Sequence, residues 1–92
     1  MDYKRIPKEI IKGVGGRRNI KPINYCSLRL RLQIKDESKI DFEYLNQIDG
    51  VTAAFMRGED LQVFPRKDMD TEKVYEGFTS SFLWKKLTGH FI

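Results

Sequence analysis

The 92-residue sequence has one cysteine, one histidine, three prolines and no long apolar run. A single cysteine excludes a disulfide within the chain, so a packed core has to supply the stability. No stretch approaches the roughly 18 consecutive apolar residues that a membrane-crossing helix needs. The first twelve residues mix charges with short apolar runs and do not resemble a signal peptide. These absences predict a small cytoplasmic domain that reaches a membrane only through a partner.

Charge is abundant but scattered along the chain. Seventeen Lys and Arg against thirteen Asp and Glu give a net charge of +4. Because the two signs are interspersed, no long basic run of the kind that binds nucleic acid is present. The positive excess favours anionic partners in general and indicates no particular one.

Apolar spacing and capping residues predict three helices. The first covers about Pro7 to Val14 and ends at Gly15-Gly16, which we interpret as a left-handed C-cap rather than a phosphate-binding loop. Asp41 and Asp70 are suitable N-caps for the second and third helices. Helical spacing of apolar residues continues from the third helix towards the end of the chain.

Four segments have the composition of strands, and turn residues join them into two hairpins. We expect the first hairpin to have its tip at Tyr25-Cys26-Ser27 and the second at Arg57-Gly58-Glu59-Asp60. The element order α-β-β-α-β-β-α predicts an α+β two-layer sandwich, with a four-stranded antiparallel sheet and three helices on one face. The predicted strands are Ile20–Tyr25, Leu28–Ile34, Val51–Met56 and Leu61–Phe64.

The second predicted strand alternates strictly between apolar and polar residues. Its apolar side chains, which need a core beneath them, are Leu28, Leu30, Leu32 and Ile34. Arg29, Arg31 and Gln33 then fall on the opposite, open face of the sheet. Two guanidinium groups therefore lie side by side, a few residues from the thiol of Cys26.

Cys26 has two interpretations. A lone cysteine is most often a small buried apolar residue. Here, however, it precedes the apolar alternation and has Asn24, Tyr25 and Ser27 as neighbours, which favours an exposed turn. Positive charge near a cysteine favours the nucleophilic thiolate, and arginine can also hold the anion that a thiolate attacks.

The last twelve residues form a candidate separate unit. We divide the chain into a domain over residues 1–80 and an amphipathic, aromatic tail over residues 81–92, which contains Phe82, Trp84 and Phe91. The tail either packs on the core or docks on a partner or a membrane surface. His90, the only histidine, suits a solvated or packing role there.

The segment around Cys26 resembles the phosphocysteine motif of the glucose-type enzyme II B domain, a component of the bacterial phosphoenolpyruvate-dependent sugar phosphotransferase system. The resemblance covers roughly Ile6 to Phe78, and a cysteine followed at fixed spacing by two arginines is its most specific part. The matching segments are Ile10-Ile11, Gly15-Gly16, Asn19-Ile20, Asn24 to Arg31, Lys35-Asp36, Ile48 to Val51 and Lys73-Val74-Tyr75.

The resemblance implies a function in phosphoryl transfer. Cys26 would accept phosphate from a histidine of an A domain and pass it to a sugar in a membrane-embedded C domain. Arg29, Arg31, Ser27 and Tyr25 would contact the phosphate or the partner surfaces, and no metal or cofactor is implied. Two departures stand out: family members commonly have threonine where this chain has Leu28, and often Gly-Pro where it has Phe64-Pro65-Arg66.

Two further classes of function remain open from the sequence. One is a non-catalytic regulatory or binding module that kept the B-domain fold, which Leu28 and the aromatic tail would suit. The other is a small nucleic-acid binder that uses Tyr25, Arg29 and Arg31 on one surface. Since nucleic-acid-binding sheets stack bases on exposed aromatic residues, and the second strand has none, we do not expect nucleic acid as a partner.

Overall fold

A computed structural model describes residues 3–79 of the chain, so the predicted tail, with Phe82, Trp84, His90 and Phe91, lies outside the described residues. The described part contains three α-helices, four strands and two short 3₁₀ turns at Arg17–Asn19 and Glu37–Lys39. In chain order the main elements are α1 (Arg5–Gly13), β1 (Ile20–Cys26), β2 (Arg29–Ile34), α2 (Phe42–Gln47), β3 (Val51–Arg57), β4 (Asp60–Pro65) and α3 (Thr71–Thr79).

The four strands form one antiparallel sheet in the order β1-β2-β4-β3. Each hairpin pairs its own two strands, and β2 and β4 join the hairpins at the centre. Pro22 lies in β1, an edge strand whose register shifts between Ile20 and Ile23. An edge strand suits proline because proline has no backbone N–H to donate, and one side of an edge strand has no neighbouring strand to receive such a bond. The predicted α+β architecture is confirmed.

The core lies between the sheet and the helices. Side chains on one face of the two central strands are fully buried, and these are Leu30, Leu32, Leu61 and Val63. Helix residues that pack against them, Ile6, Ile10, Leu45, Val74 and Phe78, are at most 1% exposed. Since all three helices contribute to this one layer, the other face of the sheet has no helix among residues 3–79.

The glycines after α1 form a C-cap, as predicted. Gly16 donates its backbone N–H to the carbonyl of Ile11 at 2.9 Å, and Gly15 donates to that of Lys12 at 3.2 Å. This pair of bonds is the Schellman motif, which requires the left-handed backbone that Gly15 adopts at a φ of 90°. A Cβ on Gly15 would also lie 2.8 Å from the Cβ of Lys39. The glycine run is therefore structural.

Both predicted N-caps are confirmed. The side chain of Asp41 accepts a hydrogen bond from the backbone N–H of Tyr44 at 2.9 Å. Asp70 accepts hydrogen bonds from the backbone N–H groups of Glu72 at 3.0 Å and Lys73 at 3.3 Å. These bonds satisfy N–H groups that have no partner inside the helix, so the caps define where α2 and α3 begin.

The second hairpin loop is shorter than predicted, and the first lies one residue further along the chain than the predicted strands imply, so that Cys26 ends β1. Each has two residues, Ser27-Leu28 in the first hairpin and Gly58-Glu59 in the second. The prediction that Leu28 lies on the buried face of β2 is wrong, because Leu28 precedes the strand and is 66% exposed. Pairing of Cys26 with Arg29 places Leu28 in the loop itself, where the alternation of faces does not apply.

Candidate functional site

Cys26 is the last residue of β1 and is exposed to solvent. It pairs with Arg29 across the two-residue loop, and directly opposite residues of antiparallel strands point to the same face. The sulfur therefore lies at the tip of the hairpin, on the open face of the sheet. Ser27, the next residue, has a φ of 47° and is the only described residue other than glycine with a positive φ.

Arg29 and Arg31 lie on the same open face as Cys26. Arg31 donates a hydrogen bond from Nη2 to the Oδ2 of Asp60 at 3.2 Å and keeps about half of its side chain exposed. Arg29 is half-buried, and its Nε–H is buried without a hydrogen-bond partner among the described residues. The structure thus places the predicted thiol and both predicted arginines on one face of the sheet.

A polar cleft borders this group of residues. It lies where β1, β2 and β4 meet, has a volume of about 180 Å³, and is lined by Pro22, Asn24, Arg31, Gln33 and Asp60. Both a cation and a carboxylate reach it, so its charge is balanced. Among the described residues, no group of three or more His, Cys, Asp or Glu side chains is placed to hold a metal ion.

Tyr25 faces the other side of the sheet. It pairs with the fully buried Leu30, and its ring lies 4.8 Å from that of Tyr75, measured between centroids. The negative charge of Glu72 on α3 raises the pKa of the Tyr25 hydroxyl. The sequence interpretation that placed Tyr25 on one surface with Arg29 and Arg31 is therefore wrong, because adjacent strand residues point to opposite faces.

Leu28 borders a second, mostly apolar cleft of about 110 Å³. The cleft lies between the hairpin tip and the segment that connects β4 to α3, and it is lined by Leu28, Thr52, Phe64, Pro65, Arg66, Lys67, Met69 and Thr71. Both departures from the family pattern, at Leu28 and at Phe64-Pro65-Arg66, therefore line a single cleft. Nothing in the sequence order links these two positions, and only the fold makes them neighbours.

The sequence interpretation also missed a cluster at the centre of the open face. Gln62 of β4 pairs directly with Arg31 and is only 5% exposed, although no helix within residues 3–79 covers this face. Phe55 and Phe64 stack beside it with ring centroids 5.6 Å apart. The alternation of Asp60, Gln62 and Phe64 along β4 could have placed all three on the face of the arginines.

Comparisons with known proteins agree on one family. The family described as phosphotransferase system, EIIB matches residues 8–41. A PTS system sucrose-specific EIIBC component of Bacillus subtilis (strain 168) is 39% identical over 79 residues, which are 86% of this chain and 17% of that protein. A PTS system beta-glucoside-specific EIIBCA component of the same organism is 36% identical over 76 residues, 83% of this chain and 12% of that protein.

A solved structure covers a similar part of the chain. One domain of the PTS system IIabc component from Clostridium difficile superposes with a TM-score of 0.75 and 30% sequence identity, over 83% of this chain and 78% of that one. Fold and sequence together define a phosphoryl-transfer domain of the sugar phosphotransferase system. The chain belongs to the EIIB family, in its glucose-type branch.

The chain spans less than a fifth of the length of the two Bacillus subtilis relatives. The names of those relatives combine the B component with C, or with C and A, in one protein. Within residues 3–79, no helix has the length and apolar character needed to cross a bilayer.

Proposed function

We propose that the sulfur of Cys26 carries a phosphoryl group between two partner domains. The observation that carries the proposal is the position of this exposed thiol at a hairpin tip, directly opposite Arg29 and on the same face as Arg31. The EIIB family supplies the class of reaction, and this arrangement supplies a nucleophile next to two cations.

The transfer has two steps of the same kind. In the first, the Cys26 thiolate attacks the phosphorus of a phosphohistidine on an A domain; the S–P bond forms, the N–P bond breaks and the imidazole leaves. In the second, a sugar hydroxyl in a C domain attacks the phosphocysteine; an O–P bond forms, the hydroxyl proton passes to a base of that domain and the thiolate is regenerated. An exposed hairpin tip suits this sequence, since two partners must reach the same sulfur in turn.

Phosphoryl transfer is catalysed mainly by positioning and by stabilising the charge on the transferred group. In this proposal Arg29 and Arg31 supply that charge, because the planar guanidinium matches phosphate oxygens with paired N–H donors. Ser27, the exposed residue that follows Cys26, offers its hydroxyl to the phosphate or to a partner. Tyr25, on the opposite face, acts on the helix side of the hairpin by packing against Tyr75.

The partners in this proposal follow from the composition of the relatives. Proteins named EIIBC and EIIBCA join the B component to C and A components in one chain. We infer an A domain as donor and a membrane-embedded C domain with its sugar as acceptor, which places this domain at the cytoplasmic face of the membrane.

Intact-mass analysis tests the proposal. The chain is incubated with phosphoenolpyruvate, enzyme I, the general phosphocarrier protein and a glucose-type A domain, with Cys26→Ser as the comparison. We expect one phosphate on the parent and none on the variant. Because Cys26 is exposed and replacing sulfur by oxygen barely changes its volume, the variant should keep the parent's thermal unfolding midpoint.

The alternative is a regulatory module that binds partners without carrying phosphate. Leu28 favours it, because a large exposed apolar side chain occupies the loop after Cys26, at a position where the family commonly has a hydroxyl. A parent that stays unmodified, while the same donor mixture phosphorylates another glucose-type B domain, would contradict phosphoryl carriage and support this alternative.

A further inference from the structure

Two polar atoms on the open face of the sheet are buried without hydrogen-bond partners. They are the Nε of Arg29 and the Oε1 of Gln62, and no other buried side-chain nitrogen or oxygen lacks one among the described residues that are themselves buried or half-buried. One is a donor and the other is an acceptor. Each is costly to leave unpaired, because burial removes the water that would otherwise satisfy it.

The strand register brings their side chains within reach of each other. Gln62 is directly opposite Arg31, and Arg29 is two residues from Arg31 along β2 on the same face. Arg29 and Gln62 are therefore diagonal cross-strand neighbours, whose Cα atoms lie about 7–8 Å apart in such sheets, a span that long side chains bridge. A rotation of either side chain can pair the two atoms.

Arg31 provides a contrast on the same strand. Its guanidinium is already held by Asp60 through Nη2, and about half of its side chain is exposed to solvent. The guanidinium of Arg31 thus has a hydrogen-bond partner in β4. The Nε of Arg29, the residue that pairs with Cys26, has none among the described residues.

We propose that Gln62 is a positioning residue for Arg29 in phosphoryl transfer, an inference that rests on the function proposed above. Oε1 of Gln62 accepts the hydrogen bond from Arg29 Nε when Cys26 carries the phosphoryl group. With Nε–H directed towards β4, the guanidinium presents its two terminal nitrogens to the phosphate oxygens. The burial of Gln62 on an otherwise open face keeps this acceptor dry and fixed.

A double-mutant cycle on the rate of transfer from a phosphorylated A domain to Cys26 tests the coupling. Gln62→Met keeps the length of the side chain but removes the acceptor, and we expect the single-turnover rate to fall about tenfold, as for loss of a supporting hydrogen bond. The matched control is Gln33→Met on the same face, two residues beyond Arg31, and it should stay within about twofold of the parent.

The cycle separates positioning from a structural role. Lysine keeps the charge at position 29 but has no Nε–H, so adding Gln62→Met to Arg29→Lys should cause no further loss. Added to Arg31→Lys, the same change should again reduce the rate about tenfold. An equal reduction in both backgrounds would show that Gln62 only supports the fold, and would overturn the inference.

NMR of the parent chain keeps the test valid even if Gln62→Met fails to fold. The Arg29 Nε–H signal should move downfield and exchange more slowly with water once Cys26 is phosphorylated. An unchanged signal on a fully phosphorylated parent overturns this inference and leaves the proposed function intact. A parent that takes up no phosphate overturns both.

Discussion

The two hairpins have loops of the same length but with very different residues. In each, two residues connect strands that stay paired up to the loop, with Cys26 opposite Arg29 in one and Arg57 opposite Asp60 in the other. Both loops have a positive φ at their first residue. In the second hairpin that residue is Gly58, with a φ of 66°, whereas in the first it is a serine.

The second hairpin follows the local rules for a tight turn, and the first departs from them. Glycine takes the left-handed position in the second, and the polar Glu59 completes the loop. In the first, Ser27 takes the left-handed position and Leu28 exposes 66% of its side chain. Natural sequences violate local preferences mainly where function requires it. The contrast is therefore consistent with the proposal that the loop after Cys26 is the functional one.

Replacing one arginine in each hairpin by glutamine tests this contrast. Of the changes proposed, it should have the largest effect. Arg31→Gln removes a cation from the face of the sulfur, and we expect phosphoryl transfer to Cys26 to fall about a hundredfold, as for loss of one donor to a developing charge. Arg57→Gln, the matched change in the second hairpin, should leave the rate unchanged. Single-turnover transfer from a phosphorylated A domain measures both, and equal losses would contradict a special role for the first hairpin.

A substitution at Gly58 should affect stability instead. A Cβ there would meet no atom within 4 Å, so the cost comes from the left-handed backbone alone. Gly58→Val should lower the free energy of unfolding by about 1–2 kcal/mol, as measured by urea denaturation. Glu59→Ala serves as control and should stay within about 0.5 kcal/mol of the parent; a Gly58→Val chain as stable as the parent would show that the loop has no left-handed requirement.

In the first loop, we expect a substitution to raise the free energy of unfolding instead of lowering it. Ser27→Gly relieves the penalty of a left-handed L-residue but increases the entropy of the unfolded chain, and the two terms leave a stabilisation of about 0.5 kcal/mol. The same urea measurement should therefore show an increase at position 27. A decrease would mean that contacts of the Ser27 side chain outweigh the backbone strain.

The smallest effect concerns the segment that borders the Leu28 cleft. Arg66 donates a hydrogen bond to Asp68 at 2.8 Å, which lowers the pKa of the Asp68 carboxyl below its usual range. The resulting stabilisation is present above the carboxyl's ordinary pKa, near 3.9, and is lost as pH falls through its lower value in the folded chain. Asp68→Asn should therefore unfold slightly more easily than the parent at pH 7, and the difference should be smaller at a pH below the carboxyl's ordinary pKa. Thermal unfolding at both pH values measures this, and an equal difference at both would contradict the assignment.

Local patterns in the sequence determined much of this protein. The alternation through Leu30, Leu32 and Ile34 identified a strand with one buried face, and Asp41 and Asp70 identified two helix starts. The Gly15-Gly16 pair identified a helix end. Each of these rests on contacts within a few residues, such as a cap on the next turn of helix or alternating faces of one strand, so a single sequence contains the information.

Relations between distant segments were decided by the tertiary structure. The strand order β1-β2-β4-β3 places Gln62 beside the arginines of β2 and gathers Leu28, Phe64 and Arg66 around one cleft. The exact end of β1 also decides that Cys26 shares a face with Arg29 while Tyr25 faces the helices. A shift of one residue in register reverses every side chain of a strand, and register depends on how the whole sheet pairs. The thiol and its cations could therefore be recognised from the sequence, whereas the glutamine beside them could be found only in the folded sheet.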